Sequence, residues 1–270
     1  MKKKVLLIAA LFTAGFSFAQ DQMTSKKGTP ILPEAGDYAI GFDASSLTNY
    51  AGNMLNGSSG NSFNALGDLN ANTIYGKYFI DANKAYRGML RIGFGSNTVT
   101  SLVQDASTGA AAGATVEDEA KNGGMNITLG GGIEMRQGKG RLQGVYGPMA
   151  MISLGSSSTE NSYGNGLVDQ FNLDGTTSRT TETKAGSTFG FAVGGFAGVE
   201  YFFAPKMSIG GEIAWTIALN STGAGETTTE DIDNTGSAPT VSSTTVETGT
   251  SSSFSVDTRP MGNLSLNFHF

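Results

Sequence analysis

Two stretches of this sequence alternate with period two for longer than an ordinary strand lasts. In residues 189–203 one parity carries Phe189, Phe191, Val193, Ala197, Val199, Tyr201 and Phe203, while the other carries Gly190, Ala192, Gly194, Phe196, Gly198, Glu200 and Phe202. In residues 207–220, Met207, Ile209, Ile213, Trp215, Ile217 and Leu219 oppose Ser208, Gly210, Glu212, Ala214, Thr216, Ala218 and Asn220. Successive side chains of a strand point to opposite faces, so each run has one continuous apolar face and one small or polar face. Strands of soluble domains have about five or six residues. Runs this long and this one-sided suit strands that cross a bilayer at a tilt.

The same alternation recurs over residues 37–44, 73–80, 86–95, 126–136 and 254–270, and more weakly over 142–154, where both parities are apolar and Pro148 interrupts. The connections at 81–84, 137–140 and 204–206 are short, and those at about 45–72, 96–124, 156–186 and 221–252 are long. Eight strands with alternately short and long connections predict an all-β fold, an eight-stranded antiparallel transmembrane up-and-down β-barrel with short periplasmic turns and long outer loops. Tyr78, Phe79, Tyr86, Tyr201, Phe202 and Phe203 gather beside the short turns, where an interfacial girdle is expected. The long connections, polar and poor in bulky apolar residues, read as mobile surface segments over 102–121 and 222–251.

The N-terminus supplies the route. Lys2, Lys3 and Lys4 precede an apolar run from Val5 to about Phe16, and small residues lead up to Ala19. This is the pattern of a secretory signal peptide, expected over residues 1–19 with cleavage after Ala19. The expected organisation continues with an N-terminal periplasmic segment over 20–36 and the barrel over 37–270. Loss of the three leader lysines leaves 14 basic against 23 acidic residues, a net charge of −9, which disfavours nucleic acid as a partner.

Composition removes several chemistries. The chain has no Cys and one His, His269, so thiolate metal sites, cysteine nucleophiles and imidazole-rich centres lack their ligands. A serine esterase of the outer leaflet would need a His beside its Ser at the outer rim, whereas His269 is expected at the periplasmic end. No catalytic residue, cofactor site or metal site is assigned. The glycines at 130–132 lie within a strand with no helix following, so a dinucleotide loop is not expected.

The face assigned inward carries five basic residues, Lys77, Arg87, Arg91, Arg136 and Arg259, and five acidic ones, Asp43, Glu134, Glu200, Glu212 and Asp257. An eight-stranded barrel is only wide enough inside to be filled by side chains, and a lone buried charge is costly, so pairing across the lumen is preferred to an ion path. Small inward residues at 190, 194, 198 and 210 leave room for the long charged side chains. In the last long connection Glu230, Asp231 and Asp233 group carboxylates as in a hard-cation site, but the calcium-loop spacing is missing and a solvated acidic segment is the simpler reading. Leu47, Tyr50, Met54 and Leu55 fall at near-helical spacing in the first connection, as in a short surface helix or rim cap.

Residues 32–44, the strand at 72–79 and the terminal run Leu264, Leu266, Phe268 and Phe270 resemble the small outer-membrane β-barrel proteins of the Bacteroidota, and at fold level the barrels of outer-membrane protein A and X. The resemblance implies the outer membrane of a Gram-negative bacterium, a porin-like barrel exposed at the cell surface, and outer-membrane lipids as surroundings. It also implies Phe268 and Phe270 as the signal read by the outer-membrane assembly machinery. The expected function is non-enzymatic, either structural or as an accessory subunit of a larger outer-membrane complex acting through its loops. A narrow pore for small solutes or ions and an outer-leaflet lipid-modifying enzyme are the alternatives.

Overall fold

The computed structural model describes residues 23–43, 73–257 and 263–270, without the side chains of Asp43, Asp257 and Asn263. The expected signal peptide at 1–19, the 47–56 stretch, Arg259 and the side chains of Asp43 and Asp257 therefore lie outside the described residues. The elements, in chain order, are β1 (Tyr38–Asp43), β2 (Ile74–Asp81), β3 (Lys84–Gln104), β4 (Thr115–Gln137), β5 (Leu142–Ser162), α1 (Leu167–Asp174), β6 (Ser178–Lys184), β7 (Thr188–Ala204), β8 (Met207–Thr222), β9 (Glu226–Asp233), β10 (Thr240–Glu247), β11 (Ser251–Asp257) and β12 (Asn263–His269).

All pairings are antiparallel, and their hydrogen bonds run β1–β2–β3–β4–β5–β7–β8–β12 and back to β1, a ring through eight strands. The remaining strands prolong lanes of this ring. Lys184↔Glu226 and Thr188↔Thr222 share one register, so β6 runs on into β7 and β9 continues β8. Glu247↔Glu226 and Ser251↔Thr222 likewise share a register, which makes β10 and β11 one lane. Between Asp257↔Thr216 and Asn263↔Glu212 that lane advances six residues against four on β8 before β12 begins.

The alternation is the one the sequence dictates. On β7, Ala192, Phe196, Glu200 and Phe202 are buried, while Phe191, Val193, Val199, Tyr201 and Phe203 are exposed on the outside of the ring. β2 does the same with Tyr75, Lys77 and Phe79 inward and Ile74, Tyr78 and Ile80 outward. Two expectations need correction. Phe79 and Phe202 belong to no outer girdle: both have the inward parity and are fully buried. Two of the long connections are also largely strand: the β3–β4 ladder continues unbroken to Gln104↔Thr115, leaving only residues 105–114 as its turn, and the acidic 222–251 stretch contains the β9–β10 hairpin. Its Thr and Val residues favour strands, and a ladder beside an existing strand satisfies the backbone without a greasy face, which a reading by composition overlooks.

Pro148 sits inside β5 at small cost. It pairs with Gly195 of β7, while the ladder to β4 skips from Gly132↔Met149 to Met135↔Tyr146, the side on which the missing N–H would have been needed. The buried apolar clusters are few and lie near the short turns: Ile31, Leu32 and Phe202 with Met23, and Ala39 with Phe79 and Ala85. Among the described residues no helix is long and apolar enough to cross a membrane.

Candidate functional site

Inside the ring, near the short turns, β2, β3, β4, β7, β8 and β12 each contribute side chains to one polar cluster. Lys77 Nζ lies 2.9 Å from Glu134 Oε2 and 3.5 Å from Glu200 Oε2. Arg87 grips Glu212 with both terminal nitrogens, at 3.1 and 2.9 Å, and approaches Glu134 at 3.7 Å. Arg136 donates Nη2–H to Glu200, and its Nε lies 3.8 Å from Glu134. Three cations thus meet three carboxylates. Aromatic faces complete the shell: the Arg136 guanidinium sits 5.1 Å from the Phe79 ring and 5.3 Å from Phe202, and that of Arg87 sits 4.0 Å from Phe196.

Glycines admit these side chains. A Cβ on Gly198 would stand 2.8 Å from Cγ of Glu212, and one on Gly41 would collide with Oδ1 of Asn267. Removing two charges from water costs several kcal/mol per ion, which close pairing offsets only in good geometry. The cluster's larger effect is on register, since a one-residue slip of β7 would carry Glu200 to the outer face and leave Lys77 and Arg136 only Glu134 to share with Arg87.

The second oxygen of Glu200 accepts from Ser208 Oγ and, at 3.1 Å, from Asn267 Nδ2. His269 Nε2 lies 3.1 Å from Ser208 Oγ and 3.3 Å from Glu200 Oε1. A Ser, a His and a Glu therefore touch, but not as a nucleophilic relay, in which the acid orients the ring nitrogen remote from the Ser. Here Ser208 and Glu200 share Nε2, Nδ1 has no hydrogen-bond partner, and Ser208 is wholly buried, so no carbonyl can reach it.

The segment before β1 closes the ring beneath this cluster. Ile31 and Leu32 pack on Phe202, Gly36 donates its N–H to the Phe79 carbonyl, and Lys206 ties the β7–β8 turn to the segment by donating its N–H to the Ile31 carbonyl and its ammonium to Asp37. Lys206 is the only non-Gly residue at positive φ (57°) among the described residues, a conformation that costs energy and is held by these contacts.

At the opposite end the long hairpins are clasped together. Asn165 is buried; its Nδ2 donates to the Gln104 carbonyl at 2.8 Å and its Oδ1 accepts from Ala106 N–H at 2.8 Å, joining the linker after β5 to the β3–β4 tip. Arg179 on β6 donates to the Asn165 carbonyl at 2.9 Å and to Glu230 on β9 at 3.0 Å, and its guanidinium lies 4.3 Å from the Tyr163 ring. Gly164 donates to Asp118 on β4. The helix α1 ends at Gly175, whose φ of 81° lets its N–H return to the Phe171 carbonyl.

Of the inward charges named from sequence, Lys77, Arg87, Glu134, Arg136, Glu200 and Glu212 come together as described. Arg91 does not join them: among the described residues it has no carboxylate within ion-pair distance, and its Nε is buried without a hydrogen-bond partner. It lies four residues beyond Arg87 along β3, across from Thr128. Sequence reasoning missed Ser208, Asn267 and His269 as members, although parity places all three inward and the register sets Asn267 directly opposite Ser208. It also missed the Asn165 clasp, for which no local signal exists. Phe270 is exposed beside Tyr38, with which it exchanges backbone hydrogen bonds. Among the described residues no group of His, Asp or Glu is arranged to hold a metal ion, and Glu230 is engaged by Arg179. No protein-family model and no curated protein matches the sequence.

Proposed function

We propose that this protein is an integral outer-membrane β-barrel of a Gram-negative bacterium with a filled, non-conducting lumen, and that it acts without catalysis as a rigid scaffold holding its hairpins at the cell surface for a partner. One observation carries the reading. The outer face of the ring is apolar on every lane, through Phe42, Ile74, Ile92, Leu129, Ile152, Phe191, Trp215 and Phe254, all exposed, around an interior of paired charges. A continuous belt of this kind far exceeds the few hundred Å² of apolar patch a soluble monomer tolerates, and hydrocarbon is the solvent that accepts it.

The dimensions fit. The β3–β4 ladder is 21 residues long, about 70 Å at roughly 3.4 Å per residue. A tilted strand crosses hydrocarbon with about 9–11 residues, so half of each hairpin stands clear of the lipid. Outer-membrane lipids surround the belt, and Phe268 and Phe270 on the last lane present the terminal aromatic pattern to the assembly machinery. A pore is disfavoured by a lumen crossed by ion pairs and closed below by residues 31–37.

The test is fractionation and folding together. Protein from native membranes should sit in the outer-membrane fraction and migrate differently in detergent gels before and after heating. Recovery in the soluble periplasm with heat-independent migration would refute the proposal. Steady ion-selective currents in planar bilayers would favour the pore.

A further inference from the structure

The sheet that rises from the ring ends at β10. Its order runs β10–β9–β6–β5–β4–β3, and among the described residues β10 has a partner only in β9. All eight residues of β10 are exposed. Proteins usually blunt such an edge with Lys, Pro, a bulge or a covering segment. The sequence here, Thr240, Val241, Ser242, Ser243, Thr244, Thr245, Val246 and Glu247, has high strand propensity and none of these devices within it.

The chain's own undescribed connection is too short to cover it. β1 leaves the ring with Asp43 opposite Ser265 and the chain is back at Thr73 next to β2. Twenty-nine residues that had to leave and return could rise by at most about fourteen residues, roughly to the level of Ser251 and short of β10. β11 is within its reach and β10 is not.

The edge also has a charge. Glu226, Glu230, Asp231, Asp233 and Glu247 lie on the β9–β10 hairpin, and no Lys or Arg occurs between residues 222 and 257. Glu247 stands directly opposite Glu226, whose cross-strand cation, Lys184, lies on the side away from the edge, so a cation on an added strand would be the first beside Glu247 among the described residues. Across the three hairpins, over residues 96–124, 156–186 and 221–256, 13 acidic residues face 3 basic ones. Two copies meeting at this edge would repel.

We propose that β10 is a docking edge that receives an extended, lysine- or arginine-bearing segment of a partner protein as an added strand. Backbone ladder bonds would supply affinity, and Glu247 on the edge, with Asp231 and Asp233 on the strand behind it, would select basic side chains. The Asn165 and Arg179 contacts hold β6 and β9 still, so the edge is ordered before the partner arrives. The proposal rests on the surface-scaffold reading and names the partner's chemistry.

The experiment uses the full-length protein in detergent or nanodiscs and three labelled octapeptides: alternating Lys with Thr or Val, the same peptide N-methylated at alternate amides, and a version with Glu for Lys. Binding of the first, at least tenfold weaker for each of the other two, with exchange protection confined to 240–247 and loss of binding in Ser243→Lys/Thr245→Lys, is expected. Equal binding of the N-methylated peptide would reduce the interaction to charge alone and overturn strand addition. Absence of binding would overturn it too. So would concentration-dependent dimers abolished by Ser243→Lys/Thr245→Lys, which would make the occupant a second copy, or binding that appears only after deletion of 45–71, which would make it the chain itself. A cysteine at Ser242 separates the two readings. Binding without labelling by an impermeant maleimide on intact cells refutes the surface location, and labelling without binding refutes the docking edge.

Discussion

Replacing Glu200 by Gln removes one charge from the centre of the buried cluster while keeping its shape. Glu200 is 1% exposed and is the shared acceptor of Arg136, Lys77, Ser208 and Asn267. The Gln oxygen can still accept from Ser208 or Asn267, but three cations then face two carboxylates, and Arg136 and Lys77 both turn to Glu134. Leaving a charge buried and unpaired costs about 3–5 kcal/mol. For a chain of this size each kcal/mol lowers the midpoint by roughly 2–4 °C, so the heat-resistant gel form should be lost about 6–20 °C earlier than in wild type. Glu119→Gln, an exposed change on the β3–β4 hairpin, should move the midpoint by no more than about 2 °C. Adding Lys77→Met to Glu200→Gln restores the balance and should recover part of the loss. If Glu200→Gln behaves like Glu119→Gln, or if the double variant is as impaired as the sum of its parts, the cluster is not a coupled charge network and the reasoning fails.

Glu212→Gln should cost less than Glu200→Gln, because Arg87 keeps Glu134 at 3.7 Å and the Glu212 side chain is 13% exposed; equal midpoints would contradict this ordering. Asn165→Ala should raise amide exchange at 105–114 and 167–174 while leaving the ring's midpoint unchanged, since its two 2.8 Å bonds reach only the far tip of the β3–β4 hairpin; slow exchange in the variant would show the clasp to be redundant. Lys206→Ala, which breaks the tie to Asp37, should make the bonds between residues 23 and 36 the first cleaved by added protease in detergent. The carboxyl of Asp174 is held below the ordinary carboxylate range by the Thr176 hydroxyl and then by Gln170. Its contribution to the end of α1 is complete above that range and lost as pH falls through the depressed value; a carboxylate titration by NMR showing an ordinary value would refute it.

Eight lanes, their inward and outward faces, and the six charges that meet in the interior cluster follow from the sequence alone. The reason is that a strand's period of two is short and local, so Phe191 beside Ala192 or Tyr201 beside Phe202 declares the face without knowledge of any neighbour. Parity also carried the terminal run, where Asn267 and His269 turn inward and Phe268 and Phe270 turn the other way. What parity cannot supply is partnership. Which carboxylate meets which cation depends on ring closure, which brings Lys77 to Glu200 and Arg87 to Glu212 over more than a hundred residues of chain. The order of residues 222–251 was likewise decided in three dimensions: their Thr, Ser and acidic residues bury too little to fold alone, and they form strands because β6 already presents a ladder to β9, and β9 to β10. Asn165 is the extreme case. Nothing in its neighbours marks it, and it acquires its role only where the β3–β4 tip, the linker and β6 converge on one buried amide.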